Sequence, residues 1–271
     1  MIAVLKPFFA LFRIRFTNSL QYRTAALAGL ATQFAWGAMY ILAFYAFYRE
    51  NPHAFPMSLE QTVAYIWMQQ AFVALFFIWF YDNSIFASIE NGDIAYEMVR
   101  PMDLYGRWFA MTGANRMSRA VLRCFPILMV AVLIPGVLRM RMDISIAYFF
   151  IVLMSMLLSM LVVVSFSMLI YISAFYTINS MGVRIIVGVA ADFLAGGYLP
   201  IPFFPDTLRR FVELSPFGSM QNMPLLIFSG VVRGEAMLQG LLLQVFWFVV
   251  LVVVGRLWLS YALKRVIAQG G

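Results

Sequence analysis

Six largely apolar runs of about 20 residues or more recur along this chain, and they leave few folds open. They fall at 24–48, 60–81, 108–137, 144–172, 180–199 and 236–259. A run of that length crosses the hydrocarbon of a bilayer as a helix. Helices are the expected spanning form, because backbone polar groups in lipid must be satisfied within their own segment. A membrane β-barrel would instead show short alternating segments. Composition agrees: 63% of the 271 residues are hydrophobic and 11% are charged, where a soluble domain carries about 25% charged residues. The expectation is an all-α membrane protein of six transmembrane helices, folded as a single domain over residues 1–271.

The segments outside the runs set the topology. Residues 1–23 read as a helix lying in the membrane interface. Lys6, Ala10, Arg13 and Thr17 share one face, and Phe8, Phe9, Leu11, Phe12 and Phe16 supply apolar bulk. Six crossings put both termini on one side. With that side cytoplasmic, 13 of the 19 basic residues fall there and 6 outside, the bias that basic loops impose. The 13 include Arg23, Arg100, Arg107, Arg116, Arg119, Arg123, Arg184 and Arg265. Tyr48, Tyr81, Trp108, Trp258 and Tyr261 near span ends fit an interfacial aromatic belt. The net charge of +7 is explained by this bias, so no nucleic-acid partner is called for. A lone cysteine, Cys124, excludes an internal disulfide, and no cleavable leader is apparent.

Enzyme chemistry finds no support. There is no G-x-x-x-x-G-K-[ST] phosphate loop and no H-E-x-x-H pair, and the single histidine, His53, sits in a polar turn. The 19 methionines read as flexible packing, with no metal site among them. Catalytic residues and metal ligands are therefore expected to be none.

Three segments stand out as candidates for function. The first is the charged loop 82–107. Glu90, Asn91, Gly92, Asp93, Glu97, Arg100, Pro101 and Asp103 fall within fourteen residues and include four of the chain's twelve acids. Asn91-Gly92 signals a turn, and Pro101 discourages helix at Arg100. Ile94, Ala95, Met98 and Val99 between them predict a short amphipathic helix suited to a partner protein. The second is 200–234. Pro200, Pro202 and Pro205 break the fifth helix, a short helix is expected at 206–214, and Ser215-Pro216 starts another. Two half-helices dipping back into the outer leaflet fit this segment, which includes Phe203, Phe204, Pro216 and Phe217. The third is Asp192 within the fifth run, followed by Gly196 and Gly197. An acid there costs about 2.5–3.5 kcal/mol on insertion, so it faces either a cation-favouring path or a hydrogen-bond partner on a neighbouring helix.

The interfacial helix, the six runs and the broken segment together resemble the permease subunit of an ABC-2 type transporter. Ile89–Asp103, with its Arg100-Pro101 pair, is similar to a loop of a bacterial group with members associated with viologen or drug export. So are Gly197-Tyr198-Leu199-Pro200, Phe203-Phe204-Pro205, Leu214-Ser215-Pro216-Phe217, Pro224 and Gly230 of the outer region. Ser215 departs from the group, where a larger apolar residue is expected before Pro-Phe. The resemblance implies an exporter in the bacterial cytoplasmic (inner) membrane. Two permeases, identical or homologous, would pair around a path embedded in membrane lipid. Two copies of a separate ABC ATPase subunit would drive them, with ATP and Mg on that partner and no cofactor on this chain. Glu90–Asp103 would be the coupling helix region that docks on the ATPase, and the turn with Asn179 and Arg184 would add a smaller contact. The alternative is an autonomous secondary transporter or scramblase, which the absence of an internal repeat and of paired mid-membrane charges disfavours. A further one is a membrane scaffold.

Overall fold

The computed structural model describes residues 2–21, 29–141, 145–177 and 179–264. Arg23 and Arg265 of the basic tally, and the start of the first expected span at 24–28, lie outside the described residues. Among the described residues every regular element is helical. We number the α-helices α1 (Ile2–Gln21), α2 (Leu30–Glu50), α3 (Leu59–Ala71), α4 (Val73–Phe76), α5 (Asn83–Glu90), α6 (Ile94–Met98), α7 (Leu104–Leu133), α8 (Ile146–Ser173), α9 (Met181–Leu194), α10 (Asp206–Leu214), α11 (Met223–Phe228) and α12 (Gly234–Leu263).

Three of these are long and apolar enough to cross a membrane: α2, α8 with its 3-10 extension to Tyr176, and α12. At 1.5 Å per residue α12 reaches about 45 Å, well beyond a hydrocarbon core of about 30 Å. α7 is equally long but carries Arg107, Arg116, Arg119 and Arg123 in its first two-thirds. α3 and α9, at roughly 20 Å each, stop short of a full crossing.

α3 is the hub. A capping box starts it: Ser58 Oγ accepts from the Gln61 backbone N–H, and the Gln61 side chain accepts from the Ser58 N–H. Every residue from Thr62 to Ala71 is buried, because α2, α7 and α11 surround it. Such burial on all faces explains why its sequence shows no polar stripe.

Contacts sort the connections into two ends. At one end Trp67 Nε1 donates to Leu138 O at 2.7 Å, Glu60 pairs with Arg141, and Phe203 packs on Phe44 and Phe55. At the other, Arg256 pairs with Asp103 at 3.0 Å and Trp258 stacks on Tyr176. α5 and α6 lie at this second end, between α4 and α7. α1 runs along α7, so closely that a Cβ on Gly106 would stand 2.9 Å from the Phe8 ring. Lys6, Ala10, Arg13 and Thr17 line its exposed side, as the spacing predicts.

Two expectations change here. Trp108 does not sit on an interfacial belt. It is 1% exposed and packs in the core against Tyr171, whose ring half-buried Tyr81 also meets. Arg116, counted with the basic loops, is buried inside the bundle at 1% exposure.

Candidate functional site: a broken helix joined to an exposed tip

The run 60–81 does not form one helix. α3 ends at Ala71, α4 adds a single turn, and from Phe77 (ψ 136°) the chain runs without regular helix, through a turn at Ile78 and Trp79, as far as α5. No Pro or Gly causes this. The freed backbone groups are held by side chains from three other helices. Arg116 of α7 donates from Nη1 to the carbonyls of Ala74 (3.3 Å), Leu75 (3.4 Å) and Phe77 (2.7 Å). Its Nη2 donates to Ile78 O (3.3 Å) and Ser167 Oγ (3.2 Å). Asp192 of α9 accepts the Ile78 N–H at 2.7 Å. Tyr171 of α8 accepts the Asp82 N–H through its hydroxyl at 2.7 Å. A planar guanidinium with five donors suits a fan of carbonyls, which a lysine could not bridge. Buried backbone groups outside regular structure require such partners.

Asp192 is thus bound to the backbone of a neighbouring segment and is 4% exposed. Gly196 and Gly197 end α9 as a Schellman cap. Gly196 has φ +85°, its N–H donates to Phe193 O at 3.0 Å, and Gly197 N–H donates to Asp192 O at 2.8 Å. Gln69 of α3 donates to both glycine carbonyls, at 3.3 and 3.0 Å. The same short segment of α3 and its extension therefore touches α7, α8, α9 and the α9 exit.

Below the break, Asp82 caps α5 by accepting from the Ser84 N–H and holds Asn115 Nδ2 at 2.9 Å. α5 ends at Glu90 with Asn91 as its C-cap, and Gly92 turns the chain with φ +80°. α6 follows for five residues. Ile94 points inward at 2% exposure, whereas Tyr96 (73%) and Val99 (82%) face out, together with exposed Asn91, Asp93, Met98, Arg100 and Pro101. The tip is rigidly mounted. Glu97 forms an ion pair with buried Arg107 and accepts from Trp108 Nε1 at 3.0 Å. Glu90 accepts from Ser180 Oγ at 2.6 Å and from the Ser180 N–H at 3.2 Å, which holds its carboxyl below the usual carboxylate range. Arg184 stacks over Phe86 at 4.5 Å and donates to Asn83 Oδ1 at 3.4 Å. Loop 82–107 and the turn with Asn179 and Arg184 thus form one body.

A family model described as ABC-2 family transporter protein matches residues 34–270. The chain belongs to the ABC-2 transporter family. No curated protein matches it. As an ABC-2 protein it is an all-helical, multi-pass membrane component of a transporter.

The segment 200–234 of this ABC-2 chain is irregular as its prolines predict. A 3-10 turn at Ile201–Phe203, α10, a π-turn at Gly218–Asn222 and α11 succeed one another. Phe204 stacks on Phe193, Phe217 meets Phe166 edge-on, and buried Pro200 leads into a small core of Ile201, Phe204 and Val212. Pro216 is half-buried beside Ser215. Ser215, the departure from the resembled group, donates to Val212 O at 2.7 Å and accepts from the Phe217 N–H at 3.3 Å. It supplies a polar bridge across the turn between α10 and the π-turn. The π-turn itself is satisfied by α8 and α12. Ser159 Oγ donates to Met220 O, and Gln244 Nε2 donates to Ser219 O at 3.1 Å.

Sequence reasoning did not single out Arg116, Arg107 or Tyr171. A signal existed for Arg116: it stands inside the run 108–137, where an arginine is as costly as Asp192 is in its own run.

Proposed function

We propose that this ABC-2 chain is a permease of an ATP-driven exporter in the bacterial cytoplasmic membrane. It would cross six times, with α2, α8 and α12 as full spans, the arginine-bearing α7 as a further one, and the shorter α3–α4 and α9 packed between them. Both termini would be cytoplasmic, a second permease would complete the path, and two copies of an ABC ATPase would dock on the tip at Asn91–Pro101. The segment 200–234 would close the path on the outer side. One observation carries the reading: the tip presents Tyr96, Met98 and Val99 to solvent while Glu97 and Glu90 bind it to α7 and α9. Exposed apolar side chains on a charged loop fit a protein partner, and a firmly tied tip transmits a push. That push would reach the break at Phe77–Tyr81, which leads directly into α5.

The test is affinity purification of the chain in mild detergent from cells expressing its native operon, followed by a vanadate-sensitive ATPase assay. A P-loop ATPase is expected to co-purify. Val99→Glu and Arg100→Ala are expected to lower stimulated hydrolysis by about tenfold, an effect of roughly 1.4 kcal/mol, with membrane insertion intact. Recovery of the chain alone, without hydrolysis, would replace this reading with an autonomous transporter or scramblase.

A further inference from the structure

Two arginines of α7, Arg119 and Arg123, stand one turn apart beside the start of α2. Arg119 is exposed, and its guanidinium lies over the Phe80 ring at 5.5 Å. Arg123 is half-buried and packs against Gly29, where an added Cβ would stand 2.9 Å from Nη2. Among the described residues neither guanidinium has an ion pair or a hydrogen bond, and Arg123 Nε is buried without an acceptor. Their own helices supply no acid, since residues 1–49 and 104–142 contain neither Asp nor Glu. Asp82, which bonds Asn115 one turn before Arg119, is engaged by Ser84 and Asn115. Gly29 gives α2 no side-chain cap, and the first turn of α2 carries no acid. The N–H groups of that turn place partial positive charge at the helix end that Arg123 approaches.

We propose that Arg119 and Arg123 hold the phosphate of an acidic phospholipid. Like charges one turn apart on a helix repel, and a cation beside a helix N-terminus opposes the dipole. An anion at this place reverses the sign of both interactions. A phosphate also accepts the paired N–H bonds that a guanidinium offers. The level in the membrane selects a lipid as its source. α2 starts at Leu30, and its 21 residues reach about 31 Å, close to a hydrocarbon core of about 30 Å. Gly29 and the guanidinium packed on it therefore lie at the headgroup boundary. Past this level large apolar side chains are exposed, Trp36, Met39 and Leu42 on α2 and Phe125, Met129 and Leu133 on α7, a surface suited to acyl chains. A zwitterionic headgroup would bring its own cation into this positive field, whereas an acidic one brings none. Basic pockets between spans at this depth take acidic headgroups. The proposed topology makes the leaflet the cytoplasmic one; the binding itself does not rest on that topology.

The experiment is native mass spectrometry of the full chain in neutral detergent, titrated with equal amounts of phosphatidylglycerol and phosphatidylcholine of the same acyl chains. For the first lipid bound, phosphatidylglycerol is expected to be preferred about tenfold. Arg119→Gln and Arg123→Gln are each expected to lower that preference about fivefold, and the double variant to abolish it. Arg119→Gln, a change at an exposed side chain, decides alone where Arg123→Gln fails to elute as the parent does. The double variant Lys6→Gln and Arg13→Gln, on the exposed side of α1, is expected to keep most of the preference. Added inorganic phosphate is expected to leave the bound phosphatidylglycerol in place. Equal binding of the two lipids would overturn the inference, as would a parent-like preference in the Arg119 variant. An equal loss in the α1 variant would overturn it by showing diffuse attraction to a basic face, and displacement by phosphate by showing a site for soluble anions. No ATPase is required, so failure here leaves the permease reading standing, and selective lipid binding without a co-purifying ATPase leaves the lipid site standing.

Discussion

Arg116→Met removes the guanidinium that holds the break in the third and fourth helices. Its strongest bond is to Phe77 O at 2.7 Å, and the bond to Ile78 O at 3.3 Å is weaker. Ser167 loses little, because its hydroxyl also donates to Val163 O at 2.9 Å. A hydrogen bond to a charged group contributes about 1.5–3 kcal/mol, and an abandoned buried carbonyl costs about 1–3 kcal/mol. Against this, removing a buried charge recovers part of its desolvation cost. The net loss is about 3–5 kcal/mol. For a chain of this size each 1 kcal/mol lowers the melting point by roughly 2–4 °C, so a drop of at least roughly 6 °C is expected. Half-buried Cys124 provides the assay, since a thiol-reactive dye reports its exposure on heating in detergent. Arg116→Lys should fall between, because one ammonium cannot cover the same fan of carbonyls. Hydrogen exchange should localise the damage, with faster exchange at Phe77–Asp82 and little change in α12. A melting point within about 2 °C of the parent, with unchanged exchange at Ile78, would refute the idea that Arg116 sets the break.

Further outcomes follow from the same contacts. Glu97→Gln leaves buried Arg107 without its counter-charge, and a loss of about 3–5 kcal/mol is expected, read as a lower melting point with selective exchange gain in α6. Gly218→Ala should destabilise by more than about 1 kcal/mol, because the added Cβ would meet Val212 O at 2.7 Å and the Glu213 backbone at 2.8 Å; lowered yield and melting point in detergent check it. The Glu90 carboxyl is depressed below its ordinary 4.5 by Ser180, so the tie is intact above that value and is lost as pH falls through the lower folded value. Protection of the Ser180 amide, corrected for the intrinsic pH dependence of exchange, should therefore fall on acidification below 4.5, and Glu90→Gln should abolish that dependence.

The long apolar helices were legible because a span needs little beyond length and hydropathy, and α8 and α12 match the runs 144–172 and 236–259 closely. The proline-broken segment 200–234 was legible for a similar local reason: Pro and Gly act on their own backbone. The break after Ala71 was not. Its sequence, Phe72 to Tyr81, contains no breaker, and the non-helical backbone there is held by Arg116, Asp192 and Tyr171, which arrive from 38 to 114 residues away in sequence. Tertiary hydrogen bonds override local helix propensity there. Within the loop, the acids were visible but their work was not. Glu97 and Glu90 are expected on the docking loop, and the structure shows both carboxylates bound within the chain, to Arg107 and to Ser180. Exposed apolar Tyr96 and Val99, less conspicuous in sequence, form the free face.

In the proposed permease this free face meets an ATPase. The most direct measurement is a photo-crosslinking amino acid placed at Val99 in living cells that express the native operon, with Phe125, exposed on α7, as the comparison site. A covalent product between Val99 and a P-loop ATPase is expected, and none from Phe125. A crosslink at Val99 to no ATPase, with the transporter assembled and active, would contradict it.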